Sequence, residues 1–264
     1  EGYMMATYSS VTGCTVILLA ATCGSAIADS GNQDGVTVGI MGENAPRYSG
    51  ADKQHWTVMP SLQVRKGAFF FDSTKGIGYD LQTDNGLYFE NAFGYSFGRA
   101  DQNSSWRDGS DKLKGMGNIR GALNTQVAVG WQVNSWFTPE IRATLPLTDS
   151  QGVQYQASLT LVPWQNDTDT VALQGAALFG DARYINTWYG VNAAQSRTTG
   201  FREYNRSAGF YATQTTLSWQ HQFNEHWGTL LGASYAWLAD KTSDSPVVSA
   251  RDNISGFAGI NWTF

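Results

Sequence analysis

From residue 36 onward, apolar and polar positions alternate with a period of two, the pattern of strands whose two faces meet different surroundings. Val36, Val38 and Ile40 alternate with Thr37, Gly39 and Met41. Trp56, Val58, Pro60, Leu62 and Val64 alternate with Thr57, Met59, Ser61, Gln63 and Arg65. Leu87, Phe89, Phe93, Tyr95 and Phe97 share one face, broken by Asn91, and the last strand sends Ala258, Ile260, Trp262 and Phe264 to one side. Read this way, the chain predicts strands near 36–43, 56–66, 68–73, 77–83, 87–97, 118–133, 136–147, 153–164, 170–181, 208–223, 226–240 and 254–264. That makes twelve, with ten as the alternative if the short hairpin 68–83 does not form.

Alternation alone also fits a soluble sandwich. Here the face opposite the apolar one is rich in Gln, Asn, Ser, Thr and Gly, which suits a wet lumen and not a sandwich core. The apolar faces carry aromatics near strand ends: Trp131, Phe137, Trp219, Phe223, Trp227, Trp237 and Trp262. Such rings favour a bilayer interface, with an apolar body and a polar tip, and they form a candidate aromatic girdle. Connections alternate between short (67, 84–86, 134–135, 165–169, 224–225) and longer, the longest being 44–55, 98–117, 182–207 and 241–253. Short turns on one side and long loops on the other characterise outer-membrane barrels. The expected fold is therefore all-β, an antiparallel up-and-down transmembrane β-barrel of the outer membrane of a Gram-negative bacterium. It would be surrounded by lipid and lipopolysaccharide and inserted by the barrel assembly machinery.

Composition agrees. Charged residues make up only 15% of 264 and aromatics 13%, with ten Trp, yet mean hydropathy is −0.31. No segment after the N-terminal region offers the run of about 18 apolar residues that a membrane helix needs. The net charge of −5 argues against nucleic acid as a partner. Near the start, Val16–Ala21 forms a short apolar stretch and Ala26-Ile27-Ala28 an A-x-A site, so residues 1–28 read as a signal peptide and 29–264 as the barrel. Residues 1–3 then read as foreign, with Met4 or Met5 as the start. Both cysteines, Cys14 and Cys23, fall in the leader, which leaves the mature chain without a thiol.

Candidate chemistry is sparse. His55, His221 and His226 show no metal-ligand spacing, and no cofactor is implied. His221 falls on the outward face in line with Trp219 and Phe223, where a lipid hydrolase would need its base, but a girdle position accounts for it. The more informative set is charged and points inward by alternation: Arg65, Arg120, Arg142, Asp80, Glu90 and Glu140. Three positive and three negative groups in a confined lumen are expected to pair, because unpaired charge there is costly. Such a network fills the lumen or forms a solute-selecting constriction.

Five short segments carry a family resemblance: Pro46-Arg47-Tyr48-Ser49-Gly50, Leu113-Lys114-Gly115-Met116-Gly117, Tyr189-Gly190-Val191, Gly200-Phe201-Arg202-Glu203-Tyr204-Asn205 and Ser243-Asp244-Ser245-Pro246-Val247-Val248. In order and spacing the chain resembles the MipA/OmpV family of MltA-interacting outer-membrane proteins over most of 36–264. The resemblance implies a non-enzymatic barrel that scaffolds peptidoglycan-remodelling enzymes, a murein lytic transglycosylase and a penicillin-binding synthase. A narrow channel for small solutes, or an adhesin acting through the extracellular loops, is the alternative it leaves open.

Two outcomes follow. Mass spectrometry of membrane-extracted protein should find Asp29 at the mature N-terminus; a chain still carrying Val16–Ala21 would end the leader reading. Deleting Phe264, a terminal aromatic of the kind that marks barrels for assembly, should lower the fraction with heat-modifiable gel mobility.

Overall fold

The computed structural model describes residues 34–264, so the leader reading over 1–28, with Cys14 and Cys23, lies outside the described residues. The wall begins with β1 (Gly35–Pro46), β2 (Gln54–Lys66), β3 (Phe69–Asp72), β4 (Gly76–Gln82) and β5 (Leu87–Ser96). Two-residue strands β6 (Arg99–Ala100) and β7 (Asp108–Gly109) pair in parallel within the next loop. The wall resumes with β8 (Ala122–Trp131), β9 (Phe137–Pro146), β10 (Gln154–Gln165), β11 (Asp169–Gly180), β12 (Gly209–Gln222), β13 (Trp227–Leu238) and β14 (Asp252–Thr263). Helices α1 (Ala182–Tyr189) and α2 (Ala193–Thr199) lie between β11 and β12, and α3 (Asp240–Ser243) lies between β13 and β14.

Each wall strand pairs antiparallel with the next, β5 pairs with β8 across the intervening loop, and β1 closes on β14, giving a closed barrel of twelve strands. The seam runs from Thr37 opposite Thr263 to Asn44 opposite Gly256, and the Phe264 N–H donates to the Val36 carbonyl at 3.0 Å. No helix among the described residues is long and apolar enough to cross a membrane, so the crossing is made by strands. The side chains sort by parity. Ile40, Val58, Ile141 and Ile254 stand exposed on the outer face, while Ser158, Thr160, Gln174, Thr216 and Ser218 are buried on the inner one. Asn91, the break in the outer face of β5, is satisfied locally: its amide donates to Thr125 Oγ1 and the Gln126 carbonyl. On the inner face, glycine makes room for rings. A Cβ at Gly232 would lie 2.1 Å from the Phe257 ring.

The hairpin 68–83 does form, so twelve strands stand and not ten. It is short because its tip is locked. Asp72 Oδ1 accepts the Thr74 N–H (2.7 Å), the Thr74 hydroxyl (2.5 Å) and the Lys75 N–H (3.1 Å). Gly76 then turns the chain at φ +97°, with the Phe93 carbonyl where a Cβ would go, 1.9 Å away. One strand boundary is corrected. The strand expected over 118–133 begins at Ala122, because Gly117 takes φ +78° and Ile119 bridges to Arg99 inside the loop instead of joining the wall.

Gly76→Ala should cost about 1–2 kcal/mol from the left-handed backbone alone, and more from the clash with Phe93. A lower urea midpoint in liposomes, or failure to fold, would be the readout; unchanged stability would show that the tip can relax.

Candidate functional site

Inward-facing charge gathers on the β4–β9 side of the lumen. Glu90 on β5, Ala128 on β8 and Arg142 on β9 lie side by side in register, as do Tyr88, Gly130 and Glu140 one pair further toward the short turns. Because β8 contributes only Ala128 and Gly130, the long side chains of its neighbours meet over it. Arg142 Nη1 donates to Glu90 Oε1 at 2.8 Å and Arg142 Nε to Glu140 Oε1 at 3.0 Å. Lys75 Nζ reaches Glu90 Oε2 at 2.9 Å, and the Tyr88 hydroxyl donates to Glu140 Oε2 at 2.6 Å. A Cβ at Gly130 would collide with the Tyr88 ring at 2.2 Å, so glycine is what lets the phenol lie there. The side chains of Arg142, Glu90 and Glu140 are 9%, 6% and 8% exposed, and two positive charges balance two negative ones. Arg65 and Asp80 form a separate bidentate pair at 2.6 and 2.9 Å. The ring of Phe70 lies beneath Arg65 and Lys75 at 5.4 and 5.9 Å, in cation–π geometry.

Five of the six charged residues expected to face inward are thus in ion pairs. Arg120 is not. It lies in the loop before β8, exposed, because the alternation that pointed it inward does not extend past Ala122. Lys75, which completes the network, sits in the hairpin turn, where alternation assigns no face.

The aromatic positions fall at two levels. Trp131, Phe137, Trp219, Phe223, Trp227 and Trp262 lie near the short turns, and Trp237 lies at the long-loop end, where the Arg251 guanidinium stands 4.6 Å from its ring. His226 stacks on Trp262 at 4.6 Å. His221 Nδ1 meets Asp169 Oδ1 at 2.8 Å between Trp219 and Phe223, beside the short turn.

The long loops fold together over the mouth. Tyr48, Ala51, Leu113, Met116, Val191, Tyr204 and Val247 form one buried cluster, with Phe201 and Val248 against it. Each of the five segments that carried the family resemblance supplies at least one of these residues. The Tyr48 hydroxyl donates to the Val247 carbonyl at 2.7 Å, Tyr204 and Val191 exchange backbone hydrogen bonds, and the Gly115 carbonyl accepts from Thr198 of α2. At Gly50, φ is +94° and a Cβ would sit 2.8 Å from Val248. Beneath this cluster α1 enters the mouth itself. Ile185 and Tyr189 pack on the inward residues Ala176, Leu178 and Ala212, and Asp181 caps the helix by accepting from the Tyr184 N–H at 2.6 Å. Buried Arg99 donates to the Trp188 carbonyl at 2.6 Å and lies over the Tyr48 and Trp188 rings. Burial raises the pKa of Tyr184, and raises that of Tyr189 to about 12.

A family profile described as MltA-interacting protein MipA matches residues 38–264. The protein named "Putative outer membrane protein YiaT" from Escherichia coli strain K12 is 23% identical over 87 residues, and the O157:H7 protein of the same name gives the same figures. The matched stretch is 33% of this chain and spans about a third (35%) of the length of those relatives. Among solved structures, the translocator domain of autotransporter NalP from Neisseria meningitidis aligns with a TM-score of 0.49 at 12% identity, covering 93% of this chain and 95% of that one. The NanC porin aligns at 0.46 and 11%, covering 86% and 100%.

Arg142→Ala leaves Glu90 with Lys75 alone and Glu140 without a cation, which should destabilise the barrel by about 3–5 kcal/mol. Urea unfolding in liposomes checks it. A loss within experimental error would mean that water reaches both carboxylates freely.

Proposed function

The chain belongs to the MltA-interacting protein (MipA) family, and from that premise we propose that this outer-membrane barrel is a closed, non-catalytic scaffold that holds a murein lytic transglycosylase at the periplasmic face. The observation that carries the reading is a lumen obstructed at two levels. The Lys75–Glu90–Arg142–Glu140 network crosses one side of it. On the other side the inward side chains Thr216, Ser218 and Gln174 are 2–4% exposed, and the mouth holds α1 under the packed loops. A wall built in this way favours an anchor over a pore. A penicillin-binding synthase would join through the same complex.

The short turns leave little periplasmic surface, so docking would use the rim itself. Asp84, Asp167 and Glu225 are exposed there, with Lys66 and the Asp80-paired Arg65 the basic residues nearby. An acidic rim suits a partner with a basic patch, and it makes association salt-dependent.

Planar-bilayer recording of purified protein should give no steady conductance; a stable single-channel current whose ion selectivity changes in Arg142→Ala would replace the scaffold with a channel. Immobilised protein should retain a lytic transglycosylase from the same organism. Replacing Asp84, Asp167 and Glu225 together with Lys should weaken that retention by about tenfold or more, equivalent to about 1.4 kcal/mol.

A further inference from the structure

Among the described residues the wall has one interruption. β3 ends at Asp72, opposite Gln63, while β2 continues to Gln54. Above the tip of the β3–β4 hairpin, β2 and β5 therefore face each other across three strand spacings, roughly 14 Å. The part of the β2 edge beside the hairpin tip is finished for this. Leu62 is the last residue of β2 to bond across to the hairpin, its N–H donating to Ser73 Oγ and its carbonyl accepting from the Ser73 N–H. Strand parity turns the backbone of Pro60 toward the same side, and proline has no N–H to leave unpaired in lipid.

A cavity of about 810 Å³ sits behind this notch. Its lining includes Ile77, Phe93 and Tyr95, which are exposed on the outer face, together with Asn124, Gln156 and Arg142, which face the lumen. One cavity touches both faces of a sheet only where the sheet is interrupted. Tyr184, Trp188 and Tyr189 of α1 form its roof, and Lys75 and Arg142 lie at its floor. Two of its lumen-facing side chains hold buried polar atoms with no hydrogen-bond partner: Asn124 Oδ1, an acceptor, and Gln156 Nε2, a donor, on residues 7% and 9% exposed. Trp188 Nε1 is a third such atom. The charged groups at the floor are already engaged. Lys75 and Arg142 hold Glu90 and Glu140, and Asp72 takes the hydrogen bonds of its own turn and of Gln63.

We infer that this chamber is a binding site for a neutral amphiphile, with an apolar body and an uncharged hydrogen-bonding head, that reaches it sideways from the outer leaflet through the notch between β2 and β5. The body lies along Phe71, Ile77 and Phe93. The head meets Asn124 and Gln156, whose unpartnered acceptor and donor suit a hydroxyl or amide. A charged head gains nothing at the floor, where Lys75 and Arg142 already neutralise Glu90 and Glu140, and under the roof Arg99 is engaged by the Trp188 carbonyl with Asp108 acting on its charge. The site stands whether or not the periplasmic rim docks an enzyme.

The test uses the mature chain in liposomes with a medium-chain alcohol carrying a diazirine, photolysed and mapped by mass spectrometry. Cross-links are expected on the lumen-facing residues of β8 and β10 as well as on the outer belt. Met59→Trp, whose larger lumen-side ring fills the inner end of the notch, should cut the lumen cross-links, and Asn124→Leu with Gln156→Leu should cut them by about tenfold, the scale of a lost buried hydrogen-bond partner. Outer-belt labelling should persist, and heat-modifiable mobility identifies the variants that fold. Labelling confined to the outer belt overturns the site. Lumen labelling unchanged in Met59→Trp overturns the lateral route. Equal lumen labelling by the carboxylate- or ammonium-headed analogue overturns the neutral head.

Discussion

Inside a bilayer no water is available to backbone amides, so every N–H and C=O of a spanning strand must find a partner in the protein. In this chain that requirement is met by joining the first strand to the last. The eight paired positions from Thr37–Thr263 to Asn44–Gly256 turn an open sheet with two costly edges into a wall with none along its lower part. The outward apolar belt, the inward polar face and the alternation of short and long connections all follow from that closure. It also explains how the lower margin of the interruption above the β3–β4 hairpin is finished. Asp72 absorbs the donors of the turn, Ser73 satisfies Leu62, and Pro60 offers no donor at the edge.

Closure creates a second problem, because a ring of twelve strands encloses more space than one layer of small side chains fills. The two halves of this barrel solve it differently. On the β10–β12 side, medium polar residues such as Gln174 and Gln214 pack to near-complete burial. On the β4–β9 side, long charged residues span the space over Ala128 and Gly130. Such a network carries a desolvation cost that it recovers only when every member is partnered. Each carboxylate here has at least two donors: Glu90 takes Lys75 and Arg142, and Glu140 takes Arg142 and Tyr88. An ionic filling of this kind excludes solute on one side and fixes the orientation of Arg142 beneath the chamber.

What the sequence revealed and concealed divides along the same physical line. Period-two alternation is imposed by a wall with unlike faces, so all twelve wall strands, and the inward direction of Arg65, Asp80, Glu90, Glu140 and Arg142, were legible. Arg120 was misplaced and Lys75 missed because both lie where the chain leaves the wall, and alternation says nothing beyond its ends. The helices α1 and α2 were hidden for a different reason. They are short, and their local caps (Asp181 on α1, the Asn192–Gln195 box and Gly200 on α2) are joined by tertiary ties that no local pattern shows. Asp181 also accepts from the Val153 N–H, and Gln195 donates to the Met116 carbonyl. The motifs that carried the family resemblance were visible without their purpose. Their apolar residues are conspicuous in loops that would otherwise face water, and burying Tyr48, Leu113, Val191, Tyr204 and Val247 in one cluster accounts for them.

The anchoring of that roof bears on how the chamber communicates with its surroundings. A lid that opens needs a weakly held segment joined by free hinges. Here Asp181 ties α1 to the β9–β10 loop, where Gly152 takes φ +84° so that Tyr184 can approach, and a Cβ at that position would lie 2.0 Å from the Tyr184 nitrogen. At the other end of α1, the Tyr189 carbonyl accepts from Ser245 at 2.5 Å and its hydroxyl meets Ser49 at 2.8 Å, binding the helix to two further loops. Lifting α1 therefore means breaking contacts with three separate connections together with the buried packing against Leu178, Tyr211 and Leu238. The floor is no easier to move, since Arg142 and Glu90 sit on wall strands whose register is fixed on both sides. With the top clamped and the bottom pinned, the path that asks least of the structure is the one already present in the wall. It is bordered by apolar side chains that lipid wets without any change in the backbone.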